Sequence, residues 1–305
     1  MTCVNALMVG VDAGGTGTRA VVATVDGVVL GRGQGGPGNP LRHPSAAVSF
    51  EQAVGAALAG QDASRVVSAG LGVAGLTGLR FADYSGALVR LGVSARLCVY
   101  ADAVTAFAAG TTSDHGVVLI AGTGAIAARV RDRQVTATAD GLGWLLGDRG
   151  SGVWLGLSAV RSIAVHWPGT PFASAVASHA GVETVDELLA WGNRTTPDQY
   201  AALAPVVCSH ALSGDPLAQS LVDSTATELL RTLDELGPPA GPVVLAGGLL
   251  SGRTPVSAAL TRALARRSVS HAVAGDPALA AARLSLRVDH EPKVPLDGVS
   301  PPPIS

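Results

Sequence analysis

Short apolar runs separated by turns open the chain. An apolar run from Ala6 to Val11 ends at a glycine-rich turn, and a second run from Ala20 to Val25 follows it. Asp26-Gly27 then precedes the apolar residues 28–30, and Asp-Gly between two apolar runs is a strong signal for a tight hairpin in which both turn residues take positive φ. The pattern predicts antiparallel strands, with the glycine-rich turn inside a β-hairpin. Such a turn differs from Rossmann and Walker loops, which lead into a helix.

The same pattern starts again near Thr112, about one hundred residues after the first. Residues 117–120 are apolar and run into Gly122-Thr123-Gly124, after which an apolar run, a polar turn at 131–134 and residues 135–139 follow. Strand, small-residue turn, strand, turn, strand is therefore predicted twice. We interpret this as a structural duplication with little sequence identity behind it.

Helical periodicity dominates the rest of the chain. A predicted helix at 81–91 lies between apolar runs at 66–73 and 97–100, which favours parallel strands joined by a crossover. Asp215-Pro216 and Asp276-Pro277 place a capping aspartate before proline at two helix starts. The domains predicted from these patterns are residues 1–112, completed by a C-terminal helix at 276–287, and residues 113–275. The proline-rich segment 288–305 is expected to be disordered.

Composition narrows the class of protein. A chain of 305 residues with 48% hydrophobic and 14% charged residues fits a globular protein of two domains. Its net charge of −2 and the lack of a basic stripe disfavour nucleic acid as a partner. No apolar run reaches the roughly 18 residues of a membrane span, and the N-terminus does not resemble a signal peptide. Three cysteines without CxxC spacing favour neither a disulfide framework nor a zinc site, so a cytoplasmic location is expected.

Three glycine-rich turns are candidates for phosphate binding. Glycine lets phosphate oxygens approach backbone N–H groups, and threonine hydroxyls add donors. Asp12, at the end of the first strand, is a candidate Mg²⁺ ligand, because this ion takes one or two carboxylates and keeps several waters. An ordinary glycine-rich hairpin, or for the third turn a helix start, explains each turn equally well alone. The candidate nucleotide-binding residues are Gly14, Gly15, Thr16, Thr18, Gly122, Thr123, Gly124, Gly247 and Gly248.

Two further aspartates are candidates for chemistry on a sugar. Asp102 follows an apolar run and suits a general base that accepts a hydroxyl proton, although an N-cap role explains it too. The segment 140–152 combines glycines with Trp144, Asp148 and Ser151 just before a helix. A carboxylate beside an indole matches the polar edge and apolar face of a sugar. The alternative is that Asp148 or Ser151 caps the helix, while Trp144 and Trp154 pack in the core.

Together these segments resemble the N-acetylglucosamine kinase branch of the BadF/BadG/BcrA/BcrD ATPase family, within the hexokinase/actin/Hsp70 superfamily. The resemblance runs from about Val9 to Leu286. Residues 10–16 and 120–124 are similar to its two phosphate motifs, and 101–103 to the segment of its catalytic base. Residues 146–152 resemble its Leu-Gly-Asp-Glu-Gly-Ser signature, whose aspartate binds sugar. It implies an α/β protein of two ribonuclease H-like (actin/hexokinase-type) domains with a central cleft for nucleotide and sugar.

The resemblance also implies an activity and its site. The expected reaction is transfer of the ATP γ-phosphoryl group, with Mg²⁺, to the 6-hydroxyl of an amino sugar, foremost N-acetylglucosamine, by a homodimeric enzyme. Asp102 is then the base and Asp12 the metal ligand. The implied sugar-binding residues are Asn39, Ala74, Gly143, Trp144 and Asp148. Ala74 stands where some N-acetylglucosamine kinases have serine, and Arg149 where the family has glutamate, so glucosamine, N-acetylmannosamine and N-acetylmuramic acid remain alternatives.

Two other classes of protein stay open at this point. An ATPase activator of 2-hydroxyacyl-CoA dehydratase belongs to the same broad family, but it holds an iron–sulfur cluster through cysteines in loops. Cys98 falls in a predicted strand and Cys208 in a predicted helix. A non-catalytic nucleotide-dependent scaffold is the other alternative, against which the presence of Asp102 and the sugar loop argues.

Overall fold

The computed structural model describes residues 6–286, except His166 and Pro168. These residues form two compact units. Unit 1 consists of residues up to Ala109 together with the segment that begins at Asp276, and unit 2 consists of residues Gly110 to Gly275. The domain boundaries expected from the sequence, after residues 112 and 275, stay a prediction.

Strands and helices alternate in unit 1, and helices dominate the middle of unit 2. The strands are β1 (Leu7–Ala13), β2 (Thr18–Thr24), β3 (Val29–Gly35), β4 (Val66–Val73), β5 (Leu97–Ala101), β6 (His115–Ala121), β7 (Ala125–Arg131), β8 (Gln134–Asp140), β9 (Val243–Ala246) and β10 (His271–Val273). The helices are α1 (Ala46–Leu58), α2 (Tyr84–Arg90), α3 (Asp102–Ala108), α4 (Gly152–Val165), α5 (Pro171–Ala180), α6 (Val185–Arg194), α7 (Pro197–Ala201), α8 (Ala204–Leu212), α9 (Pro216–Glu235), α10 (Gly248–Ser251), α11 (Pro255–Arg266) and α12 (Pro277–Leu286).

Each unit contains a mixed five-stranded sheet of the same design. In unit 1 the strand order is β3-β2-β1-β4-β5, and in unit 2 it is β8-β7-β6-β9-β10. The first three strands of each unit pair antiparallel, and the last two run parallel to the first strand. The repeated order agrees with the duplication inferred from the sequence. It also confirms the predicted α/β class with two ribonuclease H-like units.

The sheets are buried because their central strands are apolar on both faces. All residues of β1 except Asp12 are buried, and β9 is buried throughout. Helices cover these faces, as expected for strands that read as continuous apolar runs. In unit 1 the core contains Phe50, Val54 and Leu58 of α1, the residues that the sequence placed on one helical face.

The hairpin predicted at Asp26-Gly27 is present, but its turn type differs from the prediction. Strands β2 and β3 pair antiparallel, and Gly27 N donates to Thr24 O at 2.8 Å within the turn. Of the two turn residues only Gly27 has positive φ (91°), so the expected two-residue turn with positive φ at both positions is wrong. The two-residue turn occurs instead between β7 and β8, where Asp132 and Arg133 both have positive φ (48° and 62°). The strand predicted to end at Leu30 also continues through the glycine-rich stretch to Gly35.

Strand β3 continues because its glycines allow α1 to lie directly on it. Gly31, Gly33 and Gly35 alternate with exposed residues and face α1. A Cβ at any of the three would collide with a backbone carbonyl of α1. The glycines are therefore a packing surface rather than a loop.

Helix α12 returns to unit 1 and packs on β1 and β4. Asp276 caps it, since its Oδ1 accepts from Ala278 N at 3.0 Å and from Leu279 N at 3.2 Å. Gly10 and Gly70 let the helix approach, because a Cβ on either would collide with the α12 backbone. The predicted helix start at Asp276-Pro277 is confirmed, and the segment 288–305 lies outside the described residues.

Helices α4 to α9 follow β8 in unit 2. The predicted cap of α9 is confirmed, since Asp215 Oδ1 accepts from Ala218 N at 2.9 Å. Within the described part of the chain, we find no helix with the length and apolarity that crossing a membrane requires.

Candidate functional site

In unit 1, the carboxyl ends of three parallel strands bring two aspartates to one edge of the sheet. The register aligns Asp12 of β1 with Gly72 of β4, and Gly72 with Tyr100 of β5. Asp102 follows two residues later as the first residue of α3, where its Oδ1 accepts from Ala103 N at 2.9 Å. Ala101, and not Asp102, occupies the N-cap position.

Burial affects the pKa of both carboxyl groups, and the charge of Asp102 adds to its effect on Asp12. Burial, then the negative charge of Asp102, raises the pKa of Asp12 from 3.8 to about 6, against a smaller lowering by Arg19. Burial also raises the pKa of Asp102, although the hydrogen bond from Ala103 opposes this. Carboxyl groups with strongly shifted pKa values are typical of functional sites, because burying a carboxylate without a cationic or hydrogen-bonding partner costs stability.

The turn between β1 and β2 lies at the same edge. Gly14 N donates to Gly17 O at 3.0 Å and closes the turn. No atom lies within 4 Å of the position that a Cβ on Gly15 would take, and Thr16 is exposed. Open space above a glycine turn with an exposed hydroxyl is a cradle that phosphate oxygens could enter.

Asn39 and Ala74 join this edge from two loops. Ala74 N donates to Ala13 O at 3.0 Å, directly after β4. Asn39 Oδ1 accepts from Leu41 N at 2.9 Å, so its amide NH₂ is the part of the side chain left to donate to a ligand. Gly75 lies against Asn39, since a Cβ there would be 2.7 Å from Asn39 Oδ1. Unit 1 therefore places Asp12, Ala74 and Asp102 at one edge of its sheet, with Asn39 against Gly75.

Thr18 and Tyr84 connect the loop of Asn39 to the turn. Thr18 is buried, and its hydroxyl donates to Gly36 O at 2.9 Å. Gly38 N donates to Gly14 O at 2.9 Å, and Tyr84 donates its hydroxyl to Gly38 O at 3.3 Å. Sequence reasoning assigned Thr18 to the nucleotide and did not single out Tyr84, because no local pattern links Tyr84 to a loop 46 residues away.

In unit 2, the second glycine turn and the third lie side by side. Gly122 N donates to Gly124 O at 2.9 Å and closes the turn between β6 and β7. The nearest atom to a Cβ on Gly122 would be Gly248 N, at 4.0 Å. Gly247 has φ 84° at the start of α10, so this position needs glycine to start the helix, as one of the two interpretations of the third turn proposed. Gly248 has open space at the position that a Cβ would take.

Asp148 lies beside this second turn. Its residue is 7% exposed, and a Cβ on Gly124 would be 2.8 Å from its Oδ2. Ser151, and not Asp148, caps α4, because Ser151 Oγ accepts from Trp154 N at 3.1 Å. Trp144 is partly buried with its ring 6.5 Å from that of Tyr200, and Trp154, placed in the core by the sequence, packs against the core and is partly buried.

The residues of unit 1 fit a magnesium ion in part. The described residues contain no group of three or more histidine, cysteine or acidic side chains that could hold a metal alone. Mg²⁺ does not need one, since it is commonly held by one or two carboxylates, waters and substrate phosphates. The raised pKa of Asp12 marks a desolvated carboxylate whose charge a cation would offset.

Several proteins similar to this chain are named as kinases. The chain is 26% identical to the glucosamine kinase GspK of Vibrio cholerae over 230 residues, which cover 72% of this chain and 77% of the relative. It is 25% identical to an N-acetylmuramic acid/N-acetylglucosamine kinase of Clostridium acetobutylicum over 237 residues, covering 74% and 78%. The crystal structure of a proposed N-acetylglucosamine kinase from Chromobacterium violaceum superposes with a TM-score of 0.73 at 28% identity, covering 92% of this chain and 98% of that one.

A family model extends over most of the chain. The model of the BadF/BadG/BcrA/BcrD ATPase family matches residues 9–278, a range that includes every predicted site residue and all of both sheets except the first two residues of β1. Through this match, which agrees with the resemblance found in the motifs, the chain belongs to the BadF/BadG/BcrA/BcrD ATPase family.

Proposed function

We propose that this protein is an ATP-dependent kinase that phosphorylates the 6-hydroxyl of an amino sugar, with N-acetylglucosamine as the preferred substrate. The observation that carries the proposal is the pair of desolvated carboxyl groups, Asp12 and Asp102, beside an open glycine turn at one edge of a sheet. The named activities of the relatives from Vibrio and Clostridium support the substrate class.

Asp102 is the proposed general base. Phosphoryl transfer to an alcohol requires that the hydroxyl lose its proton, and a carboxylate can accept it. Because burial raises the pKa of Asp102, the carboxylate is a stronger base than a solvated aspartate. The hydrogen bond from Ala103 N holds Oδ1, so that Asp102 can orient the hydroxyl before it accepts the proton.

Asp12 and the glycine turns are the proposed nucleotide site. Asp12 would hold Mg²⁺, which in this role neutralises charge on the phosphates. The backbone N–H groups around Gly15, with the hydroxyl of Thr16, suit phosphate oxygens. In unit 2 we assign Gly122, Thr123 and Gly124 to phosphate, and the open face of Gly248 to the flat adenine ring.

Asn39, Ala74, Gly143, Trp144 and Asp148 are the proposed sugar-binding residues. The amide of Asn39 can donate to a hydroxyl oxygen, because its Oδ1 is occupied by Leu41 N. Asp148 can accept from sugar hydroxyls, and Trp144 offers an apolar face. Ala74 adds no hydroxyl of its own, so discrimination of the 2-substituent falls on the other residues.

A screen of ADP release tests the proposal. The purified protein is incubated with ATP, Mg²⁺ and one sugar at a time: N-acetylglucosamine, glucosamine, N-acetylmannosamine, N-acetylmuramic acid and glucose. We expect sugar-dependent ADP release, with the largest kcat/KM for N-acetylglucosamine and the product phosphorylated at the 6-hydroxyl. A larger kcat/KM for glucosamine would make glucosamine the preferred amino sugar and contradict only the choice of N-acetylglucosamine. ADP release with none of the amino sugars would contradict the proposal.

The iron–sulfur activator makes a different prediction. Cys98 lies in β5 and Cys208 in α8, and both are buried free cysteines, which places neither in an exposed ligand loop. We expect the purified protein to be colourless and to contain no iron by elemental analysis. Stoichiometric iron would favour the activator instead.

A further inference from the structure

A buried carboxylate that the proposed chemistry does not use begins the loop that carries Asp148. The side chain of Asp140, the last residue of β8, is 1% exposed. Its Oδ1 accepts from Asp148 N at 2.7 Å, and its Oδ2 accepts from Arg149 N at 2.9 Å and from Arg149 Nε at 3.2 Å. Hydrogen bonds to an ionised acceptor are shorter and stronger than neutral ones, so these three bonds close the loop firmly.

The loop needs such support because its backbone is unusual. Asp140 and Asp148 have φ of 61° and 55°, in the left-handed region that residues with a Cβ seldom adopt. Gly141, Gly143 and Gly150 also have positive φ. Non-glycine residues persist in this region only where the surrounding structure holds them. The two strained aspartates are joined directly by the bond from Asp148 N to Asp140 Oδ1.

Gly147 allows the carboxylate to reach its donors. A Cβ on Gly147 would collide with Asp140 Oδ1. The absence of a Cβ at Gly147 therefore lets the Asp140 carboxylate approach the backbone of the loop.

Arg149 forms ion pairs with two carboxylates. Besides its bond to Asp140, its Nη2 lies 2.7 Å from Glu235 Oε2 at the end of α9. An arginine held by two carboxylates offsets the buried charge of Asp140 and connects the loop to α9. Its side chain is thus engaged in supporting the loop.

A second set of bonds holds the other end of the loop. Gly152 N donates to Gly122 O at 2.7 Å, and Val153 N donates to Thr123 O at 3.2 Å. Asp148 is therefore fixed between the glycine turn on one side and Asp140 on the other. Movement of either support would shift the Asp148 carboxylate relative to Gly124.

We propose that Asp140, neutralised by Arg149, is a positioning residue that holds the Asp148 carboxylate in place for the sugar. The inference rests on the proposed function, in which Asp148 binds the substrate. Because Asp140 acts on the Asp148 backbone, its loss weakens sugar binding more than nucleotide binding.

The test compares Asp140→Asn with wild type and with Asp234→Asn. The amide of asparagine turns one N–H donor group toward a backbone N–H, so at least one of the three bonds is lost. Asp234 forms an exposed ion pair with Arg267 near the same end of α9 and serves as a control with the same change of charge. We expect Asp140→Asn to raise the KM for the sugar by about 10- to 100-fold, the usual effect of a misplaced binding group. The KM for ATP should stay within about twofold, as should both constants in Asp234→Asn.

Hydrogen exchange supplies a measurement that does not depend on activity. In Asp140→Asn, amides in the segment 141–150 should exchange faster, since the N–H group of Asp148 or that of Arg149 loses its acceptor. Should Asp140→Asn fail to fold, Arg149→Met takes its place, because it keeps the acceptor for both backbone N–H groups and removes the side-chain bonds of Arg149 to Asp140 and Glu235. We then expect a smaller rise in sugar KM, about 3- to 10-fold, partly restored in Arg149→Lys, which keeps the charge.

The results separate this inference from the proposed function. Equal KM changes for sugar and ATP, an unchanged sugar KM, or unchanged exchange at 141–150 would overturn the positioning role. Absence of amino-sugar phosphorylation by the wild-type protein would instead overturn the proposed function, and the exchange data would still decide whether Asp140 holds the loop.

Discussion

At the scale of single residues, the candidate site in unit 1 depends on two aspartate carboxyl groups that burial separates from solvent. Asp12 and Asp102 each have a raised pKa, and burial is the first cause of both. Neither carboxylate would be selected for stability, because ionising a desolvated acid costs free energy. Their position at the end of buried strands makes sense if a ligand supplies the missing partners.

The general-base assignment predicts a defect in turnover. Asp102→Asn keeps the shape of the side chain but cannot accept the proton, so kcat should fall by about 10²- to 10⁴-fold. Steady-state kinetics with saturating sugar and ATP measure this. Asp114→Asn is the control, since Asp114 is exposed beside His115 at the start of β6 and should behave as wild type. Near-full activity in Asp102→Asn would remove the role.

The raised pKa of Asp12 predicts a dependence of stability on pH. The folded pKa of about 6 lies above the ordinary 3.8, so the folded state holds the proton more tightly. The corresponding stability is present at low pH and is lost as pH rises through about 6. In ligand-free protein with EDTA, Asp12→Asn should therefore increase the free energy of unfolding at pH 8 by about 1–3 kcal/mol, and by less at pH 5.

Urea titrations of both proteins at the two pH values measure this effect. The same variant should lose kinase activity, because it lacks the carboxylate proposed to hold Mg²⁺. A variant that is less stable than wild type at pH 8 would contradict the inferred cost of the Asp12 charge.

At the scale of elements, packing of backbone against backbone decides where strands end. Gly31, Gly33 and Gly35 make β3 a flat surface for α1, whereas sequence patterns gave only a glycine-rich stretch. The duplication, the parallel strands and the capped helices could be predicted, because they depend on local periodicity and caps. The length of β3 could not, because it depends on how closely α1 approaches.

The contact between β3 and α1 predicts opposite effects of two glycine substitutions. Gly33→Ala puts a methyl group against the α1 backbone at Ala53 and Ala57, so it should destabilise the protein by about 1–3 kcal/mol. Gly55→Ala lies within α1 and meets only a Leu91 methyl group, at 3.3 Å. It should be neutral or stabilising by up to about 1 kcal/mol, through helix propensity. Denaturant unfolding of the pair measures the difference, and equal effects would contradict the close approach.

In the candidate site too, local sequence patterns predicted some residues, whereas others depend on tertiary contacts that the sequence does not show. Asp12, Asp102 and the glycine turns follow apolar runs, and the structure brings those of each unit to the edge of its sheet. Asp140 received no role from the sequence, because the burial of its carboxylate depends on Arg149, nine residues later, folding back onto it. The turn at Asp132-Arg133 was predicted from its polar residues, but its two positive φ values were not, because it contains no glycine.

At the scale of the whole molecule, unit 1 is assembled from two distant parts of the sequence. Its sheet is complete by Ala101, but β1 and β4 are covered by α12, which begins at Pro277. Gly10 and Gly70 leave room for this helix, because a Cβ at either position would collide with its backbone. Periodicity predicted the helix, and the family resemblance suggested the domain that it completes.

Removal of α12 should therefore disrupt unit 1. A chain that stops after Gly275 exposes Met8, Gly10 and Gly70, so we expect fast hydrogen exchange in β1 and β4 and loss of activity, while β6 and β9 stay protected. A chain that stops after Leu286 is the control, since it keeps every contact of α12 that the structure describes. Protected β1 and β4 amides in the shorter chain would contradict the role of α12.

The return of α12 also has a consequence for synthesis on the ribosome. Residues of unit 2 are contiguous and can fold once they have emerged, whereas the sheet of unit 1, although translated first, must wait for the last of its helices. During that interval an apolar sheet surface is open to chaperones or to wrong partners. A premature stop between Gly275 and Pro277 would thus yield a polypeptide in which unit 2 can fold and unit 1 cannot mature, which marks it for degradation rather than partial activity.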